Sequence, residues 1–345
     1  MVSALRRVVK PLAYGLAAAA APALLHLPRG PRLLVLTYHR VLPEDHPARA
    51  YEEQAMVLSP ARLALHLRLL SQHMPFLHVE DWLDQRDGGA ALPRLACAVT
   101  FDDGWADNHD HAFAVLQQLQ VPATIYLATA RIGGTLGFWP TRLSRLLCGA
   151  WARDESALVA SLAAQLPAVA WPAQVAAPQR REALHQLIDG LKQHYIDAQI
   201  DDALQAAVGR EGVAEVPDLL DWQQVRRMAD SGLVRFGSHT RNHRRLRADL
   251  PAAVLQDEVQ GSAQDIQQHL GRAPAGFCYP NGDLCAAARD SVKAHYRYAA
   301  LNDLGINARA VDPFSLLRVS FHDASGADAQ RVMGRITRAC LGVRD

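Results

Sequence analysis

Two adjacent carboxylates close a short apolar strand, and this constrains the fold more than any other stretch. Leu95-Ala96-Cys97-Ala98-Val99 has the length and composition of a buried strand and runs into Thr100-Phe101-Asp102-Asp103-Gly104-Trp105. A helix-like run from His109 to Leu119 follows, then a second apolar strand from Val121 to Leu127. Strand, loop, helix, strand is a βαβ unit, which requires parallel strands. The carboxylates therefore stand at the C-terminal end of a parallel strand, where α/β folds bind ligands. Successive strand residues face opposite sides, so both can serve one site only if the chain turns there. Gly104 permits that turn. From this stretch alone, an inert Asp-Asp-Gly surface turn is the alternative.

A second strand end changes the balance. Gly232 to Gly237 is apolar and leads into Ser238-His239-Thr240-Arg241-Asn242-His243. His239 and His243 are spaced i, i+4, so on one helical turn they share a face. Two imidazoles and a carboxylate make a three-ligand site for a divalent metal, with positions open for water and substrate. The alternative is two surface histidines in a basic segment beside Arg241, Arg244 and Arg245. A pair at one strand end, with Asp-Asp at another, favours the metal. A third strand, Ala275-Gly276-Phe277-Cys278-Tyr279, ends in a Pro280-Asn281-Gly282 turn.

In this order the three motifs resemble the first three of the polysaccharide deacetylases, carbohydrate esterase family 4. Tyr38-His39-Arg40-Val41 also fits bacterial members, and the resemblance spans about Leu33 to Phe321. It implies a metal-dependent hydrolase that removes N-acetyl groups from an amino-sugar polysaccharide or a lipid-linked glycan. By motif, Asp103, His239 and His243 would bind the metal, zinc first, with cobalt, nickel or manganese also suitable. Asp102 would be the general base. The main-chain N–H of Asn281 would serve the oxyanion, with Tyr279 and His39 lining the substrate pocket. The family's general acid is a histidine on a late strand, and His322 is the candidate, outside the Leu-x-His pattern. A second departure is Cys278, where many members carry an arginine that orients the base. Arg318, on the last strand, is a candidate replacement, and a structural arginine at a strand edge is the other reading. Two further activities use the same chemistry: a deformylase or an O-deacetylase acting on a sugar lipid. A reading of another class is a carbohydrate-binding protein on a degenerate esterase fold.

Strand and helix patterns alternate seven times. They predict a distorted, incompletely closed (β/α)7 barrel over residues 31–345, with a helical insertion at about 135–220 between the third and fourth strands. The insertion either caps the cleft or elaborates the packing. Trp139, at its start, is a sugar-stacking candidate or a core residue. A chain of 345 residues can hold such a barrel in one domain. A formal charge of +1 removes any bulk electrostatic case for nucleic acid. Five cysteines without a Cys-x-x-Cys pair argue against a disulfide scaffold and favour a reducing compartment. Residues 1–30 form a leader, with Arg6, Arg7 and Lys10 before an Ala/Leu-rich run broken by Pro22. It reads equally as a signal peptide and as a segment lying on a membrane surface. Export is one outcome. The other is a cytoplasmic or membrane-face enzyme in peripheral contact with the inner membrane.

Overall fold

The computed structural model describes residues 30–211 and 217–342, so the leader before Gly30 lies outside the described residues. Among the described residues no helix is long and apolar enough to cross a membrane. Seven parallel strands form the frame: β1 (Arg32–Tyr38), β2 (Leu95–Phe101), β3 (Ala123–Leu127), β4 (Val234–Ser238), β5 (Gly276–Cys278), β6 (Tyr298–Leu304) and β7 (Leu316–Ser320). They neighbour one another in chain order, and β1 also pairs with β7. The seam expected to stay open is thus hydrogen-bonded, with Leu36 opposite Val319 and Thr37 opposite Ser320. β1 can do this because it pairs with β2 along its whole length on one edge and turns its last residues to β7 on the other.

Helices alternate with these strands. Before β2 come α1 (Pro60–Ser71) and α2 (Val79–Asp87), and after it α3 (Phe113–Leu119). The insertion between β3 and β4 holds α4 (Trp139–Arg153), α5 (Ala157–Gln165), α6 (Arg180–His194) and α7 (Asp197–Glu211). Then follow α8 (Trp222–Asp230) before β4, α9 (Ala252–Gln256) and α10 (Ser262–Leu270) before β5, α11 (Ala286–His295) before β6, and α12 (Ala329–Leu341). Strands covered by helices are buried on both faces, which is why they read as unbroken apolar runs. Every residue of β1, β2 and β3 is buried.

Inward-facing residues fill the barrel. Leu33, Val35, Ala96, Ala98, Tyr126, Tyr298, Ala300 and Leu316 form one cluster with Val79, Trp82 and Leu83 of α2. Two tyrosine rings take the volume left by two strand glycines. A Cβ on Gly237 would sit 2.6 Å from the Tyr126 ring, and one on Gly276 would sit 2.3 Å from the Tyr298 ring. Toward the C-terminal strand ends the filling turns polar, beginning with Thr37 and Thr100, whose hydroxyls lie 3.2 Å apart.

Residues 44–56 and 134–218 make a second compact unit. Its helices pack around Leu143, Leu147, Leu162, Leu191, Ile200 and Leu204. Trp139 belongs to this core. It is 5% exposed, and its indole N–H donates to Asp197 Oδ1 at 2.9 Å. A packed indole with its N–H satisfied is a core residue and not a sugar platform.

Candidate active site

The turn after β2 solves the alternation problem. Asp103 and Gly104 both take positive φ, +78° and +83°. This left-handed pair swings Asp103 back to the side that Asp102 faces. Asp102 first extends the ladder, its N–H donating to the Tyr38 carbonyl at 3.0 Å. Both carboxylates are 3% exposed.

Asp102 is completed from within the protein. Arg318, on β7, donates from Nη1 to Oδ1 and from Nη2 to Oδ2, each at 2.8 Å. Its Nε holds the Leu301 carbonyl at 2.7 Å, which fixes the fork. The arrangement is bidentate, the strongest form of such a pair. Burial alone would push the Asp102 carboxyl up, but the Arg318 guanidinium outweighs it and holds the group well below the usual carboxylate range. Burial pushes the Cys278 thiol up, so it stays protonated. It donates to Asp102 Oδ2 at 3.6 Å and receives Arg318 Nη2 at 3.1 Å. His39, partly open to solvent, brings Nε2 to 3.8 Å from Asp102 Oδ2.

Asp103 is completed on one side only. The Trp105 indole N–H donates to Oδ2 at 2.8 Å. Oδ1 is buried without a hydrogen-bond partner. It faces His239 Nε2 at 3.5 Å and His243 Nε2 at 3.4 Å. The His239 tautomer follows from its other nitrogen. Nδ1 lies 2.8 Å from the Cys278 carbonyl, which can only accept, so Nδ1 carries the proton. Burial pushes this imidazole down to about 4, so it is neutral at ordinary pH. Nε2 therefore points a lone pair at a carboxylate oxygen. Two acceptors face each other in a buried site, which costs free energy unless a cation lies between them. Asp103, His239 and His243 each offer one atom within 4.8 Å of the others, so these residues fit a divalent cation. Asp102, His239 and Cys278 are equally close, but there Arg318 already supplies the positive charge.

The histidines do not meet on a helical turn. Residues 239–243 form a loop in which Thr240 and His243 have φ of +64° and +60°. This reversal sets the two rings 4.8 Å apart at 71°. Left-handed backbone is strained for a β-branched threonine and needs support from its surroundings. Glu258, in a π-bulge at Asp257–Gly261, accepts the N–H groups of Arg241 and Asn242 at 3.0 and 2.9 Å and the Asn242 side chain at 2.9 Å.

A family profile for polysaccharide deacetylases matches residues 90–299. The chain belongs to the polysaccharide deacetylase family. Its barrel is shared with solved structures of low sequence identity. The Streptococcus pyogenes deacetylase PplD, solved with acetate, is 15% identical, with 88% of this chain and 98% of that one covered at a TM-score of 0.57. IcaB from Ammonifex degensii is 18% identical, with 89% and 98% covered and a TM-score of 0.55. A de-N-acetylase from Aggregatibacter actinomycetemcomitans is 20% identical, with 83% and 94% covered and a TM-score of 0.51. No curated protein sequence matches the chain.

Other residues of interest in this family member take varied positions. Tyr279 buries its ring against Phe277, centroids 5.2 Å apart, and its N–H donates to the Ala300 carbonyl at 3.1 Å, so it is a packing residue and not an open wall of the pocket. Asn281 is exposed in the following turn, with φ +57°. His322 follows β7, half-buried, its N–H donating to Ser325 Oγ, and it belongs to neither of the two ligand clusters. Sequence reading passed over Trp105 and Glu258. A tryptophan after an Asp-Asp-Gly turn was a signal for the first. Nothing local marks Glu258, which acts across a bulge from residues it does not adjoin.

Proposed function

We propose that this family member is a divalent-metal-dependent hydrolase that removes N-acetyl groups from an amino-sugar polysaccharide or lipid-linked glycan. One observation carries the reading: Asp103 Oδ1 and the His239 Nε2 lone pair face each other across 3.5 Å in a buried site. Asp103, His239 and His243 would hold the cation. Two imidazoles and a carboxylate suit zinc and also accept cobalt, nickel or manganese. Such a cation, when bound, polarises an amide carbonyl and lowers the pKa of water at the site.

Asp102 stays ionised through its pairing with Arg318, which supports it as the group that takes the proton of the attacking water. A distance of 3.8 Å from Asp102 supports His39 as the imidazole that hands a proton to the departing amine, with His322 the second candidate. The Asn281 main-chain N–H is the proposed donor to the oxyanion. An amide bond as the target draws support from the Aggregatibacter actinomycetemcomitans de-N-acetylase, whose barrel this chain shares.

The test is product analysis on the zinc-loaded chain, offered N-acetylated glycans, O-acetylated glycans and N-formylated sugar lipids. Acetate from the N-acetylated set is expected. Acetate from O-acetylated glycans alone, or formate alone, overturns the proposal in favour of another acyl group.

A further inference from the structure

We infer that Trp105, clamped by Arg40 and Asp107, is a positioning residue that sets how tightly Asp103 holds its metal. The inference rests on the metal reading above. A carboxylate has two oxygens that exchange by rotation about Cβ–Cγ. The Trp105 indole N–H engages Oδ2 at 2.8 Å. Oδ1 is thereby the oxygen turned to His239 and His243. Without the indole, the carboxylate could turn, and each orientation lost to the histidines weakens the three-ligand set.

The indole is itself held. The Arg40 guanidinium lies 4.2 Å over the ring centroid. Its Nε donates to Asp107 Oδ2 at 2.9 Å, and Asp107 Oδ1 accepts the Val41 N–H at 2.6 Å. Trp105, Arg40 and Asp107 are 2%, 4% and 5% exposed. Taking an ion pair out of water is weakly favourable at best, so burial of this pair asks for another reason. Fixing an indole over a metal ligand supplies one. The planar guanidinium stacks on the ring, a contact that a lysine ammonium reproduces poorly. The clamp spans two strand ends, since Arg40 follows β1 and Asp107 follows β2.

Trp105→Phe keeps an aromatic ring under Arg40 and deletes the N–H together with the indole's second ring. Zinc affinity, measured by competition with a chromophoric chelator, should fall about 10–100-fold, the usual effect of losing a partner that orients a metal ligand. The metal-free melting temperature should fall by the few degrees that trimming a buried ring costs, and the absorption bands of the cobalt-loaded variant should change. Arg40→Lys, which keeps the charge facing Asp107, should lose affinity in the same direction and by less. Wild-type zinc affinity and cobalt spectrum in Trp105→Phe would overturn the inference. Should Trp105→Phe fail to fold, Arg40→Lys decides by the same two measurements. A wild-type chain that takes up no zinc overturns the metal reading and this inference with it. A wild type that binds zinc, beside variants that bind it equally, overturns this inference alone.

Discussion

Asp102 and Asp103 are chain neighbours, equally buried, and they meet opposite surroundings. Asp102 has its charge matched by a fixed guanidinium and a thiol, both supplied by the barrel. Asp103 has one oxygen bonded to an indole and the other set against two imidazole nitrogens. The difference teaches how two carboxylates in sequence take different chemical roles. The backbone turns at Asp103, so both carboxylates face His239 while their other partners differ. Neutralisation from within keeps Asp102 a carboxylate, and incomplete neutralisation leaves Asp103 fit for a cation.

The sharpest way to break this comparison is to remove each carboxyl in turn. Asp103→Asn should lose bound zinc, which mass spectrometry should otherwise find at about one per chain, and activity should fall to background. Because it also removes a poorly matched buried charge, the metal-free chain should unfold in urea no earlier than the wild type. Asp102→Asn should keep its zinc and lose about 10²–10⁴ in rate, the usual effect of losing a general base. It leaves Arg318 buried without its anion, so stability should drop by about 3–5 kcal/mol in the same urea experiment. Exchanged metal outcomes would reverse the two roles.

Arg318→Met sharpens the comparison from the other side. Burial is then opposed by His239 and His39 alone, and the Asp102 pKa rises from its wild-type position. The acid limb of the kcat/KM profile should move to higher pH, with zinc still bound. The sign for stability follows. In the wild type the depressed carboxyl contributes stability above its unfolded value of about 3.9, and this is lost as pH falls below that. The variant lacks the contribution, so the stability gap between the two should be widest near neutral pH and narrow in acid. A gap constant with pH would mean that Arg318 acts through packing alone. The smallest effect expected concerns the proton donor. His39→Ala should reduce kcat at the lower end of the about 10²–10⁴ range for acid–base groups, with zinc retained. A larger loss in His322→Ala would transfer the role to His322.

Much of this was legible in the chain. The strands announced themselves because parallel strands under helices are apolar along their buried run, as Leu33 to Leu36 and Leu95 to Val99 are. Arg318 could be proposed because Cys278 stands where a partner for Asp102 is wanted. Three things were not legible. The meeting of His239 and His243 depends on left-handed backbone at Thr240 and His243, and neither is a glycine that would mark it. The closing of the barrel depends on β1 and β7, whose distance in sequence leaves no local pattern. The support from Glu258 depends on a π-bulge, an extra residue in a helix that periodicity does not reveal.

The strand that closes the barrel also carries Arg318, and this ties chemistry to the order of synthesis. β1 leaves the ribosome early and pairs with β2, but its other neighbour, β7, is made near the end of the chain. Until then Leu36 and Thr37 present a bare strand edge, and a contact of such long range is slow to form. A nascent chain halted before Leu316 would lack both the seventh strand and the guanidinium that matches Asp102. Asp102 would then lack the bidentate partner that opposes its burial. The segment that closes the barrel is also the one that matches the Asp102 charge, so the last strand and the guanidinium arrive together.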